Sequence, residues 1–421
     1  MSFNILDYGA SANGVLCTDS IQRAIDDCFL SGGGEVVIPE GVYLTGGLRL
    51  RSNVTLHLLE RAVLMGSINP EDYTGYINDT IEPIPLKERE EPVSTVKPGE
   101  KVGRSVYPYS RWNNAIIRAI HAKNIAIIGE PGSQINGQNC YDSLGEENYR
   151  GPHAINMWFC ENVTLSGYTI TDSANWAHAI QNSANITLRN VTVLAGHDGF
   201  DVRTCDNILV ENCTFKTGDD CIAGFDNINV VVRGCYFESA CSMLRFGGTD
   251  VLVENCWGIA PATYGFRNWL SDEEKQNRAP TTHKCRHSCH NVLLYYCDNR
   301  AAVRKTPGNI VIRNSYFRNP NTVMRLPFGH MWCCNRSLAD VTFEGCVIDG
   351  ICAPVPLNAP EEEPLTFTMK DCIVTAREGS EDIEFITGTN IKKIELENVT
   401  LKNFLDPKII CQPEAEITVK D

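Results

Sequence analysis

Two short stretches, AGHDGFDV and TGDDCIAG, place Asp198, Asp201, Asp219 and Asp220 near one another in a chain of 421 residues. Asp198 and Asp220 are 22 residues apart, and Asp219 adjoins Asp220. Carboxylates crowded together repel, so at least one is driven to hold a proton near neutrality. A protonated acid beside ionised partners is what glycosidic hydrolysis requires, because one group protonates the leaving oxygen while another activates water or attacks carbon. Calcium binding is a second chemistry open to the same groups. Turn formation between strands is a use that involves no chemistry at all.

Whether the aspartates meet depends on the elements that carry them. Runs rich in Val, Ile, Leu and Thr open at Asn162, Asn185, Asn207, Asn229 and Asp250, in steps of 23, 22, 22 and 21 residues, with weaker copies at Asn53, Asn124, Asn291, Asn309 and Asp340. A period near 22, alternating apolar residues and no helical pattern predict one turn of a parallel β-solenoid per repeat. Asp220 then sits one coil from Asp198, at the roughly 4.8 Å spacing of neighbouring strands. Leucine-rich repeats are the alternative, but their leucine ladder is missing. Six places after five of the openers stand Cys213, Cys235, Cys256, Cys297 and Cys346, which are expected to stack as a column of small buried hydrophobes.

Before the repeats, Ile21, Ala24, Ile25 and Cys28 recur at helical spacing from Asp19 to Leu30. Asp19 with Gln22 suggests a capping box and Gly32 to Gly34 a stop, so a short helix within residues 1–35 is expected to cap the solenoid. Two excursions, about 70–111 and 268–289, interrupt the strand pattern; the first reads either as a functional loop beside a groove or as a merely solvated loop. The whole chain, 1–421, is therefore expected to form a single all-β domain, a parallel β-helix with a capping helix and two insertions.

Composition narrows the partners. A formal charge of −15 and a pI near 5.1 argue against a general nucleic-acid role. No segment has the length of a membrane span and the N-terminal stretch does not read as a signal peptide, so a cytoplasmic location is expected. The 19 cysteines, an odd number scattered over the chain, fit reduced thiols. His283, Cys285, His287, Cys289 and His290 match no common zinc spacing, and adjacent Cys333 and Cys334 lack a redox spacing. No metal and no cofactor are assigned.

The runs FNILDYGASANGVLCTDSIQRAIDDC, GGGEVVIPEGVYLTGGLRLRSNVTLHLLERAVLMGS and HDGFDVRTCDNILVENCTFKTGDDCIAG together resemble the polygalacturonase family of glycoside hydrolases, over roughly Phe3 to Gly248. The resemblance implies a right-handed parallel β-helix. The family's Asn-Thr-Asp-Gly motif corresponds to Gly196, His197, Asp198 and Gly199, and its Gly-Asp-Asp motif is intact at Gly218, Asp219 and Asp220. It further implies Asp219 as general acid, with Asp198 and Asp220 positioning and deprotonating the attacking water in one inverting displacement. Two other family motifs depart from their usual form. Cys241 or Ser242 stands at the histidine of Gly-His-Gly, and Arg267 and Trp269 stand in the region of Arg-Ile-Lys.

Losing that histidine and lysine weakens the case for a galacturonate substrate, since a buried substrate carboxylate wants a cationic partner. Arg245 and Arg267, also 22 apart, could stack on neighbouring coils next to Asp201 and fork a carboxylate, or could instead bridge to the site's own aspartates. Substrate contacts are therefore expected from Asp201, Ser242, Arg245, Arg267 and Trp269. Trp176, Phe225 and Tyr264 could stack on a sugar, and His178 or His197 could replace the missing histidine. The expected activity is exo-acting, inverting hydrolysis of plant-type oligosaccharides, pectin-related or neutral. A uronate lyase or epimerase and a non-catalytic carbohydrate-binding β-helix are the alternatives.

Overall fold

The computed structural model describes residues 1–74, 79–83, 99, 108–280, 285–298, 303–330 and 336–420. The chain divides into two compact units, one of residues 1–200 and 267–285, the other of 201–266 and 286–421. Each unit is built from parallel β-helix coils.

In the first unit, buried residues of successive coils lie in register. Val36 faces Leu56, Leu56 faces Ile127, Ile127 faces Leu165, and Leu165 faces Leu188. In the second unit a buried column runs Ile208, Val230, Val251, Ile310, Val341, Phe367 and Ile394. Inward side chains alternate with outward ones along each strand, so a shift by one residue would expose the whole column. The pattern of β-branched and apolar residues thus fixes the register.

The repeat openers make the corners. Asn53, Asn124, Asn162 and Asn185 adopt φ of 61°, 56°, 59° and 58°, the left-handed region that asparagine tolerates best after glycine. Their amides form a side-chain ladder: Asn124 Nδ2 donates to Asn53 Oδ1 at 2.9 Å, Asn162 to Asn124 at 2.8 Å, and Asn185 to Asn162 at 2.9 Å. Asn207, Asn229, Asp250 and Asn309 repeat the conformation in the second unit. Asn291 does not. It is buried in the strand Asn291–Tyr295, facing Ser242 and Thr322, because the excursion before it moves the next corner to Asn309.

The thiol column has the same correction. Cys235 hydrogen-bonds Cys213 and Cys256, and Cys346 hydrogen-bonds Cys372. Between Cys256 and Cys346 the rung is Ser315, whose hydroxyl accepts from Cys256 N at 3.0 Å, so Cys297 lies off the column and Cys372 extends it. All described cysteines are free, and most are buried. Cys333, Cys334 and His283 lie outside the described residues, as does most of the stretch between 75 and 107.

The capping helix spans Thr18–Leu30 and buries the expected face, Ile21, Ala24, Ile25 and Cys28. Its cap differs from the expected box. Cys17 is the N-cap and makes no side-chain capping bond, while Gln22 exchanges bonds with the Arg49 backbone at 3.0 and 2.7 Å. Tying the helix to the first coil replaces the local cap. Among the described residues no helix is long and apolar enough to cross a membrane.

Candidate active site

Asp219 and Asp220 follow the strand Thr214–Thr217 and precede Ile222–Arg233, at a corner where the chain enters the next ladder. Two hydroxyls fix the turn: Thr217 Oγ1 and Ser239 Oγ donate to the Asp219 carbonyl at 2.8 and 2.7 Å. The turn sends the two carboxylates into different surroundings. Asp220 is buried, whereas Asp219 remains half-exposed.

Ser242 N donates to Asp220 Oδ1 at 3.0 Å, and Arg245 Nη1 lies 3.5 Å from Asp220 Oδ2. Arg245 also stacks on Tyr296, its guanidinium carbon 3.9 Å from the ring centroid. Burial, and then the Asp219 charge, push the Asp220 carboxyl up to about 7, with Arg245 and Ser242 pulling the other way. Asp220 therefore keeps a proton up to near neutral pH.

Asp219, Asp220, Ser242 and Arg245 are thus brought together. The 22-residue step correctly sets Arg245 opposite Ala223, but the next strand sets Leu294, not Arg267, opposite Arg245. The expected arginine fork is therefore corrected: Arg245 bridges to Asp220, and Arg267 lies in a short 3-10 turn, Arg267–Trp269, within the excursion. Asp201 is likewise corrected as a substrate contact. It is fully buried, and Arg203 Nε and Nη2 take its two oxygens at 2.7 and 2.9 Å. That two-point pair leaves it a structural partner.

Asp198 belongs to the first unit, buried, its carbonyl accepting from Ala177 N at 2.9 Å. Preceding it, Gly196 must be glycine, since a Cβ there would lie 2.8 Å from the Arg267 Cβ. Trp269 is the most exposed of the proposed aromatics, whereas Trp176 is buried against Trp112 and His153, and Phe225 lies beneath the Arg203 guanidinium. His178 is a satisfied core residue, 3.0 Å from Tyr168 Oη and 2.9 Å from the Gly199 carbonyl.

Sequence reasoning missed His290 as a site residue. Its N–H donates to the Cys241 carbonyl at 2.6 Å, one coil beyond the vacated histidine position. Burial, Arg286 and Arg325 push its imidazole down to about 4, while Asp219 acts oppositely, so His290 is neutral near the acid pair. The stretch HSCH was visible, but its excursion hid where it returns. Its neighbours show no zinc arrangement: His287 Nδ1 faces the Ala262 carbonyl at 2.8 Å, and Cys289 Sγ donates to the Asn291 carbonyl at 3.4 Å.

Ligand atoms of Asp219, Asp220 and Cys241 do lie within 4.8 Å of one another. As a cation site the trio fits poorly. Burial and both aspartates hold the Cys241 thiol well above its usual range, and Arg245 already sits on Asp220.

A model of the family described as glycosyl hydrolases family 28 matches residues 95–241. A probable polygalacturonase of Vitis vinifera is 26% identical over 245 residues, covering 54% of this chain and 46% of that protein. An exo-poly-alpha-D-galacturonosidase of Dickeya chrysanthemi is 28% identical over 250 residues, covering 52% and 41%. These matches span less than half the length of either relative. Among solved structures, an exopolygalacturonase of Thermotoga maritima superposes with a TM-score of 0.68 at 19% identity, over 96% of this chain and 92% of that one. A family 28 exopolygalacturonase of Yersinia enterocolitica gives 0.72 at 18% identity, over 100% and 78%. The shared fold is the right-handed parallel β-helix, and the segment that matches the family 28 model includes the Gly-Asp-Asp corner at Gly218, Asp219 and Asp220.

Proposed function

We propose that this protein is a glycoside hydrolase that removes units from the end of acidic, pectin-type oligosaccharides with inversion. The observation that carries the reading is the Asp219–Asp220 pair, Asp219 half-exposed and Asp220 buried with its carboxyl raised to about 7. By the family motif Asp219 is the general acid for the leaving oxygen, and Asp198 and Asp220 position and deprotonate the attacking water. The exo-acting Dickeya, Thermotoga and Yersinia proteins support exo action on galacturonate chains. The free thiols support a reducing, cytoplasmic setting.

The test incubates wild type and Asp219→Asn with uronate and neutral plant oligosaccharides and resolves products by mass. Monosaccharide heavier by one water than the glycosyl residue, formed only by wild type, is the expected result. An unsaturated product lighter by one water would instead make it a lyase, and full turnover by Asp219→Asn would remove the acid assignment.

A further inference from the structure

The last coil of the second unit is covered on one side only. Its strands Thr400–Lys402, Ile409–Gln412 and Glu416–Lys420 pair with Ile373–Ala376, Ile386–Thr389 and Ile391–Glu397 of the coil before, and among the described residues no strand pairs on the other edge of Glu416–Lys420. The apolar columns therefore end open. Ile394 and Leu396 are buried, but Ile417 and Val419, which stack on them in register, are 46% and 65% exposed. Leu401 over Val374 and Ile409 over Ile386 are half-buried, and Leu405 and Ile410 stand exposed beside them. Among the described residues no helix follows Asp272–Gln276, so this end has no counterpart of the capping helix Thr18–Leu30.

The backbone shows which groups the free edge offers. Asn398 N donates to the Lys420 carbonyl at 2.8 Å, so Lys420 turns its backbone groups toward the strand it already pairs with. These groups alternate in direction along a strand. Glu416 and Thr418 therefore also face inward along the ladder, while Ile417 and Val419 present their N–H and C=O groups at the free edge. Natural edges are ordinarily blunted by a proline, a bulge or an inward-pointing charge. Here the two side chains aimed at the core are Ile417 and Val419, and the charges of Glu416 and Lys420 lie on the opposite face.

The strand, Glu-Ile-Thr-Val-Lys, is complementary to itself when run antiparallel. With Thr418 opposite Thr418 of a second copy, Glu416 stands opposite the second copy's Lys420, and Ile417 opposite its Val419. Ile417 and Val419, whose backbone groups are free, then fall at the positions that exchange both N–H···O bonds. The Glu–Lys and Thr–Thr pairs fall at the alternate positions, where side chains approach most closely and opposite charges attract. A shift of two residues either way leaves part of the strand unpaired and moves Lys420 away from Glu416.

We propose that the protein forms a two-fold symmetric dimer in which Glu416–Lys420 pairs antiparallel with the same strand of a second copy, closing the two open core ends against each other. Such a contact is satisfied after two copies and does not propagate. One strand pair alone is smaller than a stable interface, so the apolar rim of Leu401, Leu405, Ile409 and Ile410 belongs to the contact as well. The inference is independent of the hydrolase reading.

Sedimentation velocity over a concentration series, with amide hydrogen exchange, tests it. Wild type should sediment as a dimer in the micromolar range, with the Ile417 and Val419 amides growing more protected as concentration rises. Lys420→Glu sets like charges opposite each other twice and should weaken the dimer about tenfold. Adding Glu416→Lys restores opposite signs and should recover it. Val419→Pro removes an N–H from the free edge and none from the inner ladder, so it should be monomeric with the Thr418 and Lys420 amides still protected. A monomer at every concentration, a dimer that survives both Lys420→Glu and Val419→Pro, or assemblies that keep growing with concentration, as a head-to-tail contact would, overturns the proposal. So does failure of Glu416→Lys to rescue Lys420→Glu, since a change in fold alone would not be reversed by exchanging the charges.

Discussion

Replacing Asp220 by Asn should stabilise the protein in a pH-dependent way. Burial, with Asp219 second, raises this carboxyl from 3.8 to about 7 in the folded chain. Between those values the folded state keeps a proton that the unfolded state has released, so stability falls as pH rises and the contribution is fully lost above about 7. Roughly three units at about 1.4 kcal/mol each set a ceiling of about 4 kcal/mol at pH 8. Asparagine still accepts from Ser242 N, and the value of about 7 already includes the pull of Arg245 on the carboxylate. The expected gain at pH 8 is therefore up to about 4 kcal/mol, and near pH 4, where Asp220 is itself neutral, the variant should be about as stable as wild type. Urea unfolding of both proteins at pH 4, 6 and 8 reads the difference directly. A difference that stays constant across that range, or one that shrinks as pH rises, would refute the reasoning about where the proton sits.

Three further outcomes follow from named contacts. His290→Asn should lower kcat about tenfold or more while leaving the limbs of the pH–rate profile in place, because the imidazole it removes is already neutral above about 4; a lost limb near pH 6.5 would show that His290 titrates in the reaction. Asn162→Ala should cost about 1–3 kcal/mol in chemical denaturation, through the left-handed corner and two ladder bonds, and Asn162→Gly should recover the corner share, about 1 kcal/mol; equal costs for the two would mean that the backbone is unstrained there. Gly196→Ala should lower Tm, since the added methyl meets the Arg267 side chain, and an unchanged Tm would show that the segment carrying Arg267 yields to it.

What could be read from the sequence was what depends on uninterrupted coils. The Asn corners, the apolar columns, the pairing of Ala223 with Arg245 and that of Asp220 with Ser242 all follow from a step near 22 residues, because each coil between Asn162 and Asp250 closes without an excursion. Counting fails as soon as a loop intervenes. Asn291 looks like another corner and Cys297 like another rung, but the excursion before them shifts those places to Asn309 and Ser315. Arg267 fell to the same error, since its distance of 22 from Arg245 spans the start of that excursion.

The charge balance was illegible for a different reason. A motif lists residues that are near in sequence, whereas Arg150, Arg267 and Lys275 are distant in sequence and are brought around one small cavity by a loop and a short turn. The local pattern likewise shows that Asp219 and Asp220 are adjacent, but only the turn held by Thr217 and Ser239 decides that one faces water and the other the interior. That division is what gives two chemically identical side chains separate work. The buried carboxyl is raised to about 7, and in the proposed mechanism the half-exposed one is the acid that a leaving oxygen reaches. Reversing the exposures while keeping both carboxylates, for instance by Ser239→Ala with Thr217→Val to release the turn, should therefore lower kcat far more than it lowers stability. Loss of stability with kcat retained would mean that the pair needs no fixed orientation to act.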